Sequence, residues 1–133
     1  MQREGAIIVW KIEEYVMKFK SLSKLEETME KNILKEEFKS APRAGEGRMG
    51  QTHFFYRYFI NVWYVSYRMI RAAYLRVESG ESGEFLLKEF YLILKFQNGE
   101  EGKLRFEREE NAKNVLSYLQ EYHPFIEIGY KKR

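Results

Sequence analysis

An α+β domain is what this sequence predicts: a strongly bent, mostly antiparallel β-sheet over residues 51–107, an amphipathic C-terminal helix over 108–122 packed across it, and N-terminal helices lying outside. Three observations carry that expectation. From Thr52 to Ile60 the side chains alternate, with Phe54, Tyr56, Tyr58 and Ile60 on one face and His53, Phe55, Arg57 and Phe59 on the other. A period of two belongs to a pleated strand, and aromatic rings suit a half-buried pleated surface. Asn98-Gly99 separates two alternating runs, which signals a hairpin because a type I′ turn needs positive φ at both central residues. Ala112, Val115, Leu116 and Leu119 recur at i, i+3, i+4 and i+7, the stripe of a helix with one buried face.

The chain divides into an N-terminal helical segment, residues 1–40, and an α+β domain, residues 41–133. Gly5 to Trp10 is a short apolar run able to add to a sheet edge, its own or a neighbour's. Ile12, Tyr15, Val16 and Phe19 then fall on one helical stripe. Ser23 followed by Glu26 fits a capping box, so a second helix is expected from Lys24 to Ser40, with Leu25, Met29, Ile33 and Phe38 on one side and Ala41-Pro42 as its stop. Residues 41–51, APRAGEGRMGQ, read as a loop. Strands are expected over Thr52–Ile60, Val62–Tyr67 and Ile70–Glu78, with Asn61 turning between the first two. SGESGE, 79–84, reads as a flexible loop, Phe85–Phe96 as a long strand and Lys103–Glu107 as its return. Glu109 and Glu110 suit the start of a helix over Arg108–Tyr122, Pro124 marks its end, and Phe125–Tyr130 makes a last short strand.

Composition removes several functions. Cysteine is absent, so disulfides, thiolate metal sites and a cysteine nucleophile are excluded. All 20 acidic residues are glutamate, and only His53 and His123 offer an imidazole. An EF-hand loop and a Ser-His-Asp triad are therefore excluded, and neither histidine sits in an HExxH pattern. His123 is expected to cap a helix C-terminus and His53 to flank a strand. No catalytic residue, cofactor or metal is expected. The formal charge of +3 is ordinary for solubility and is no nucleic-acid signature. GAIIVW is too short for the apolar core of a signal peptide, and Met17-Lys-Phe-Lys reads as an alternative start. Residues 53–75 approach membrane-spanning length, but Arg57, Arg68 and Arg71 would each cost ~2.5–3.5 kcal/mol near a bilayer centre. The expectation is a cytoplasmic protein without a transmembrane segment, its basic tail Lys131-Lys132-Arg133 solvated and not membrane-bound.

The assembled motifs resemble a family. A corner, Val65-Ser-Tyr67-Arg-Met-Ile70, leads into Ala73-Tyr74-Leu75-Arg76; a long hairpin with FQNGEEGKLRF follows, then a helix with ENAKNVLSYLQEYHP, then FIEIGY. Over residues 40–130 this is similar to small bacterial proteins with a pleckstrin-homology-like (PH-like) domain. The resemblance implies a PH-like partial barrel closed by a C-terminal helix. It implies no lipid ligand, because the connection between the first two expected strands, about Asn61, carries no Lys or Arg in the turn. A strand after the helix departs from the seven-stranded family pattern.

Two functional readings follow. The first is a non-catalytic cytosolic interaction module that binds a protein partner or self-associates, through apolar stripes in residues 6–19 and 24–40. The alternative is a single-stranded nucleic-acid binder whose sheet face presents Tyr56, Tyr58, Arg57, Arg68, Arg71 and Arg76 for stacking and phosphate contact. Against the alternative, the rings serve equally well as core and the arginines as a solvated face with packed stems.

Overall fold

The computed structural model describes residues 17–23, 29–82 and 85–129. Strands dominate, and they form two mixed sheets where the sequence suggested one bent sheet. The first has the spatial order β1 (Lys18–Ser21), β5 (Asn61–Ser66), β4 (His53–Tyr58), β3 (Gly47–Met49), β2 (Arg43–Ala44). The second runs β8 (Glu101–Phe106), β7 (Phe85–Phe96), β6 (Ile70–Ser82), β9 (Glu127–Ile128). Among the described residues, β1 on β5 and β9 on β6 pair parallel, the other strand pairs are antiparallel, and no barrel closes. The chain changes sheet at the Val65–Ile70 corner, where a 3₁₀ turn, Tyr67–Met69, and a register shift between Ile70 and Ala72 redirect it.

The aromatic run owes its density to burial on both faces. On one face Phe54, Tyr56 and Val65 meet Leu92, Leu94 and Phe96 of β7, Leu104 and Phe106 of β8, and Ala112, Val115 and Leu119 of helix α2 (Glu109–Tyr122). On the other, Phe55, Val62 and Tyr64 pack on Met17 and on Leu34 and Phe38 of helix α1 (Lys31–Ser40). Phe38 and Phe55 meet edge to face, centroids 5.5 Å apart. Phe54 and Phe55 are wholly buried, and burying a ring that completely contributes about 1.5–3 kcal/mol. Helix α2 touches strands of both sheets and closes the space between them.

Several local expectations are corrected. Phe19 lies in strand β1, because pairing with β5 satisfies that edge and places Phe19 against Phe38 and Phe55; this tertiary gain overrides a helical pattern. Of the helix expected over Lys24–Ser40, residues 24–28 lie outside the described residues, and helix α1 begins at Lys31 because Glu30 is extended (φ −61°, ψ 133°). Its buried pair is Leu34 and Phe38, while Ile33 is 52% exposed. Ile12, Tyr15, Val16, Leu25, the Glu26 half of the capping box, the 5–10 run and the basic tail lie outside the described residues.

The segment read as a loop, 41–51, contains the β2–β3 hairpin, whose two-residue turn is Gly45-Glu46. Gly45 has φ +60°, the first central position of a type II′ turn. The β4–β5 turn is Phe59-Ile60, and Asn61 opens β5. Ser79–Ser82, expected as loop, continues β6. At Asn98-Gly99 the hairpin is where expected, but only Gly99 has positive φ (+87°). Gly99 N–H donates to Phe96 O and Phe96 N–H to Glu100 O, the pattern of a turn followed by a glycine bulge, not type I′. After α2, Glu127–Ile128 is strand among the described residues; Tyr130 of the expected strand lies outside them.

Candidate functional site

The β2–β3 hairpin and the end of β4 gather three arginines. Arg43 and Arg48 are directly opposed across the hairpin, and Arg48 opposes Phe55 on β4, two residues before Arg57. All three therefore stand on one face of the sheet, around a cleft of about 320 Å³ lined by Arg43, Gly45, Glu46, Arg48, Arg57 and Phe59. One nitrogen of each guanidinium is held by a backbone carbonyl: Arg43 Nε by Gly45 O (2.9 Å), Arg48 Nη1 by Phe38 O (3.2 Å) and Arg57 Nε by Phe59 O (2.8 Å). The Arg48 guanidinium also lies over the Phe38 ring, 4.1 Å from its centroid. Burial first, then the charges of Arg43 and Arg57, lower the pKa of Arg48 from its usual value. Like charges directly opposed on adjacent strands destabilise a sheet. The carboxylate in the lining, Glu46, accepts the Glu107 amide at 2.8 Å.

Beside the arginines the β4–β5 turn projects two rings. Phe59 is 74% exposed and Tyr58 57%, and they meet edge to face with centroids 4.6 Å apart. Phe59 is the one non-glycine residue with positive φ, +56°, among the described residues. That conformation is costly for a bulky side chain, and such outliers cluster at functional positions. An exposed ring gains little for the fold in return.

Of the sequence-derived candidates, Arg57 lines this cleft and Tyr58 stands at its turn. Tyr56 points the other way, into the core: its phenol donates to the Arg105 carbonyl, and burial, then the Glu46 charge, push its pKa up to about 12. Arg68 is exposed on the 3₁₀ turn, and Arg71 and Arg76 are exposed on β6 of the other sheet, where Arg76 Nε pairs with Glu78 at 3.1 Å. None of these three lines the cleft. Sequence reasoning missed Arg43, Arg48 and Phe59. The available signal was Arg-Ala-Gly-Glu-Gly-Arg: a glycine-centred turn flanked symmetrically by two arginines is a hairpin that pairs them.

A second cleft, about 680 Å³, lies between α1, residues 49–52 and Tyr118. It adjoins Glu37, whose Oε2 accepts the Thr52 and His53 amides (2.8 and 2.7 Å) and whose Oε1 meets His53 Nδ1 at 2.8 Å. His53 is itself the buried first residue of β4. Both carboxylate oxygens are thus engaged in fastening α1 to the start of β4. His123, expected as a surface cap, is half-buried: its amide caps Leu119 O, and its ring stacks on Tyr67 with centroids 3.7 Å apart. The two histidines therefore belong to separate structural contacts. No cluster of metal-ligating side chains and no helix long and apolar enough to cross a membrane occurs among the described residues. No protein-family model, curated protein or solved structure matches the chain.

Proposed function

We propose that the chain is a non-catalytic cytosolic interaction module on a PH-like scaffold, binding a protein partner or a copy of itself. A helix that follows the β7–β8 hairpin and lies against both sheets supports the likeness; β9 after the helix departs from it. The partner surface is the cleft of Arg43, Arg48 and Arg57 with the Tyr58–Phe59 turn, and the partner presents an acidic segment. One observation carries this: three guanidinium groups converge on one cleft despite their mutual repulsion, a cost that an anionic partner offsets by charge-assisted, fork-shaped hydrogen bonds. The second reading, single-stranded nucleic acid, is favoured by the exposed ring pair beside those arginines, which is where a base would stack.

Titration of the full chain with a glutamate-rich peptide and with single-stranded oligothymidylate, at low and physiological salt, tests both. The interaction reading expects peptide binding that Arg48→Ala and Arg57→Ala abolish, with little for the oligonucleotide. Oligonucleotide binding with a steep salt slope transfers the assignment to the second reading. No binding of either at low salt removes the cleft as a partner surface.

A further inference from the structure

The β6–β7 ribbon is longer than the sheet it belongs to. β6 and β7 pair along their whole length, from Ile70 with Phe96 to Ser82 with Phe85. On the outer side of β6, however, β9 covers only Ala72 and Ala73, and no other strand pairs there among the described residues. The direction of the uncovered edge groups can be read off. Gly129 N–H donates to Ala73 O at 2.9 Å, so the peptide groups of Ala73 face outward. Alternate residues of a strand point their N–H and C=O the same way. Leu75, Val77 and Ser79 therefore aim theirs at the open edge, while Arg76 and Glu78 bond back to β7. The apolar row also runs outward: Ala73 is wholly buried, Leu75 half-buried, and Val77 is 44% exposed beside the half-buried Phe90. An unpaired edge of this kind is a template for another strand.

We infer that the uncovered edge of β6 is a self-association surface, on which a second copy of the chain adds its own β6 antiparallel about a two-fold axis at Val77. Charge selects that register. Because the outward groups belong to odd-numbered residues, odd must oppose odd across the axis. An axis at Arg76 sets the two copies' Arg76 against each other, and one at Glu78 opposes two carboxylates. An axis at Leu75 requires the Ala73 groups already bonded to Gly129. An axis at Ser79 leaves Glu78 facing Gly80. An axis at Val77 places Arg76 opposite Glu78 of the second copy, twice, with Leu75 opposite Ser79 and Val77 against its own copy. Arg76 and Glu78 share one face of the strand: Glu78 Oε2 accepts from Arg76 Nε at 3.1 Å and from Lys103 Nζ of β8 at 2.8 Å, so pairing with a second copy exchanges the Arg76 contact within the chain for one across the axis while Lys103 stays on Glu78. The pairing joins two four-stranded sheets into one and covers Val77.

This develops the self-association half of the function proposed above. It lies on the other sheet from the arginine cleft, so a chain that dimerises but ignores acidic peptides, or the reverse, separates the two ideas. The test is sedimentation equilibrium of the full chain with three variants. Val77→Pro removes an outward N–H and no β6–β7 bond, a substitution edge strands tolerate; it should leave the circular-dichroism melt intact and abolish the dimer. Arg76→Glu and Glu78→Arg each create two like-charge pairs and should each weaken the dimer about tenfold or more. A one-to-one mixture of those two proteins regenerates both ion pairs and should recover dimerisation. A wild-type monomer at high concentration, or a dimer indifferent to all three changes, overturns the inference. So does a monomer whose Leu75, Val77 and Ser79 amides resist hydrogen exchange, because a segment of the same chain then covers the edge.

Discussion

Replacing Phe59 by glycine and, separately, by alanine isolates the backbone strain at the candidate site. Both variants lose the ring and its edge-to-face contact with Tyr58, so that loss, about 0.5–1.5 kcal/mol, cancels between them. The difference is the backbone. At φ +56° an alanine keeps the left-handed penalty of about 1–2 kcal/mol that a Cβ imposes, and glycine does not. Glycine in turn loses about 0.5–1 kcal/mol through its freer unfolded chain. The balance puts Phe59→Gly level with or above Phe59→Ala, by about 0–1.5 kcal/mol, whereas at a residue with negative φ alanine is the more stable by about 0.5–1 kcal/mol. Urea unfolding of the two proteins, at matched m-values, measures it directly. If the alanine variant is the more stable by about 0.5–1 kcal/mol, the order expected without a left-handed penalty, the turn carries no strain and the inference from strain to function fails. Both variants should lose acidic-peptide binding, whereas Phe59→Trp should keep it, separating the contact from the strain.

Three further outcomes follow from other contacts. Glu37→Gln should cost about 1–3 kcal/mol at neutral pH, since a charged acceptor of three hydrogen bonds becomes neutral. Burial raises the Glu37 pKa, but the His53 side chain and the Thr52 and His53 amides outweigh it, so the folded value lies below 4.5; the contribution is present above that value and lost as pH falls through the folded one, and the variant's urea stability should be flatter with pH on the acid side. Gly45→Ala should cost about 1–3 kcal/mol, since its Cβ would lie 2.6 Å from Asn111 Nδ2 and 2.9 Å from Asn111 Cβ at φ +60°; adding Asn111→Gly should relieve these side-chain contacts in thermal melts but not the conformational part, beyond what Asn111→Gly alone costs the helix. Tyr56 stabilises the fold as a neutral phenol, a contribution present below pH 10 and lost as pH rises through about 12; burial raises the Tyr67 pKa further still, so ultraviolet titration should show a group of late-ionising tyrosines that loses one member in Tyr56→Phe and keeps Tyr67.

The strands were legible where alternation ran long enough to read. His53–Tyr58 and Phe85–Phe96 lie where period and composition put them, and Ala112, Val115 and Leu119 form the buried face of the C-terminal helix. What could not be read was pairing. Nothing local says that Lys18–Ser21 joins β5 in parallel, because that contact depends on residues some forty positions away. Nor did the aromatic run reveal two sheets: a strand buried on both faces looks the same whether one sheet curls over it or a helix covers its back. The short β2 and β3 strands lay below the length at which alternation is visible, and with them went two of the three clustered arginines. The site was therefore half legible: Arg57 and Tyr58 from their own strand, Arg43, Arg48 and Phe59 only once pairing placed them.

That asymmetry bears on which reading of the rings is right. A stacking platform needs its aromatics on an open sheet face, yet Phe54, Phe55, Tyr56 and Tyr64 are buried between layers, and Tyr56 is anchored by the Arg105 carbonyl. Along β4 and its turn, Tyr58 and Phe59 reach solvent, and they do so at a turn and not across a face. Two rings at a tip, next to three arginines in a cleft of about 320 Å³, match a local contact better than a track along a strand of nucleotides. These features support the proposed acidic partner over the proposed nucleic-acid one. Lengthening an oligonucleotide past the few bases that two rings can hold should add no affinity beyond simple charge.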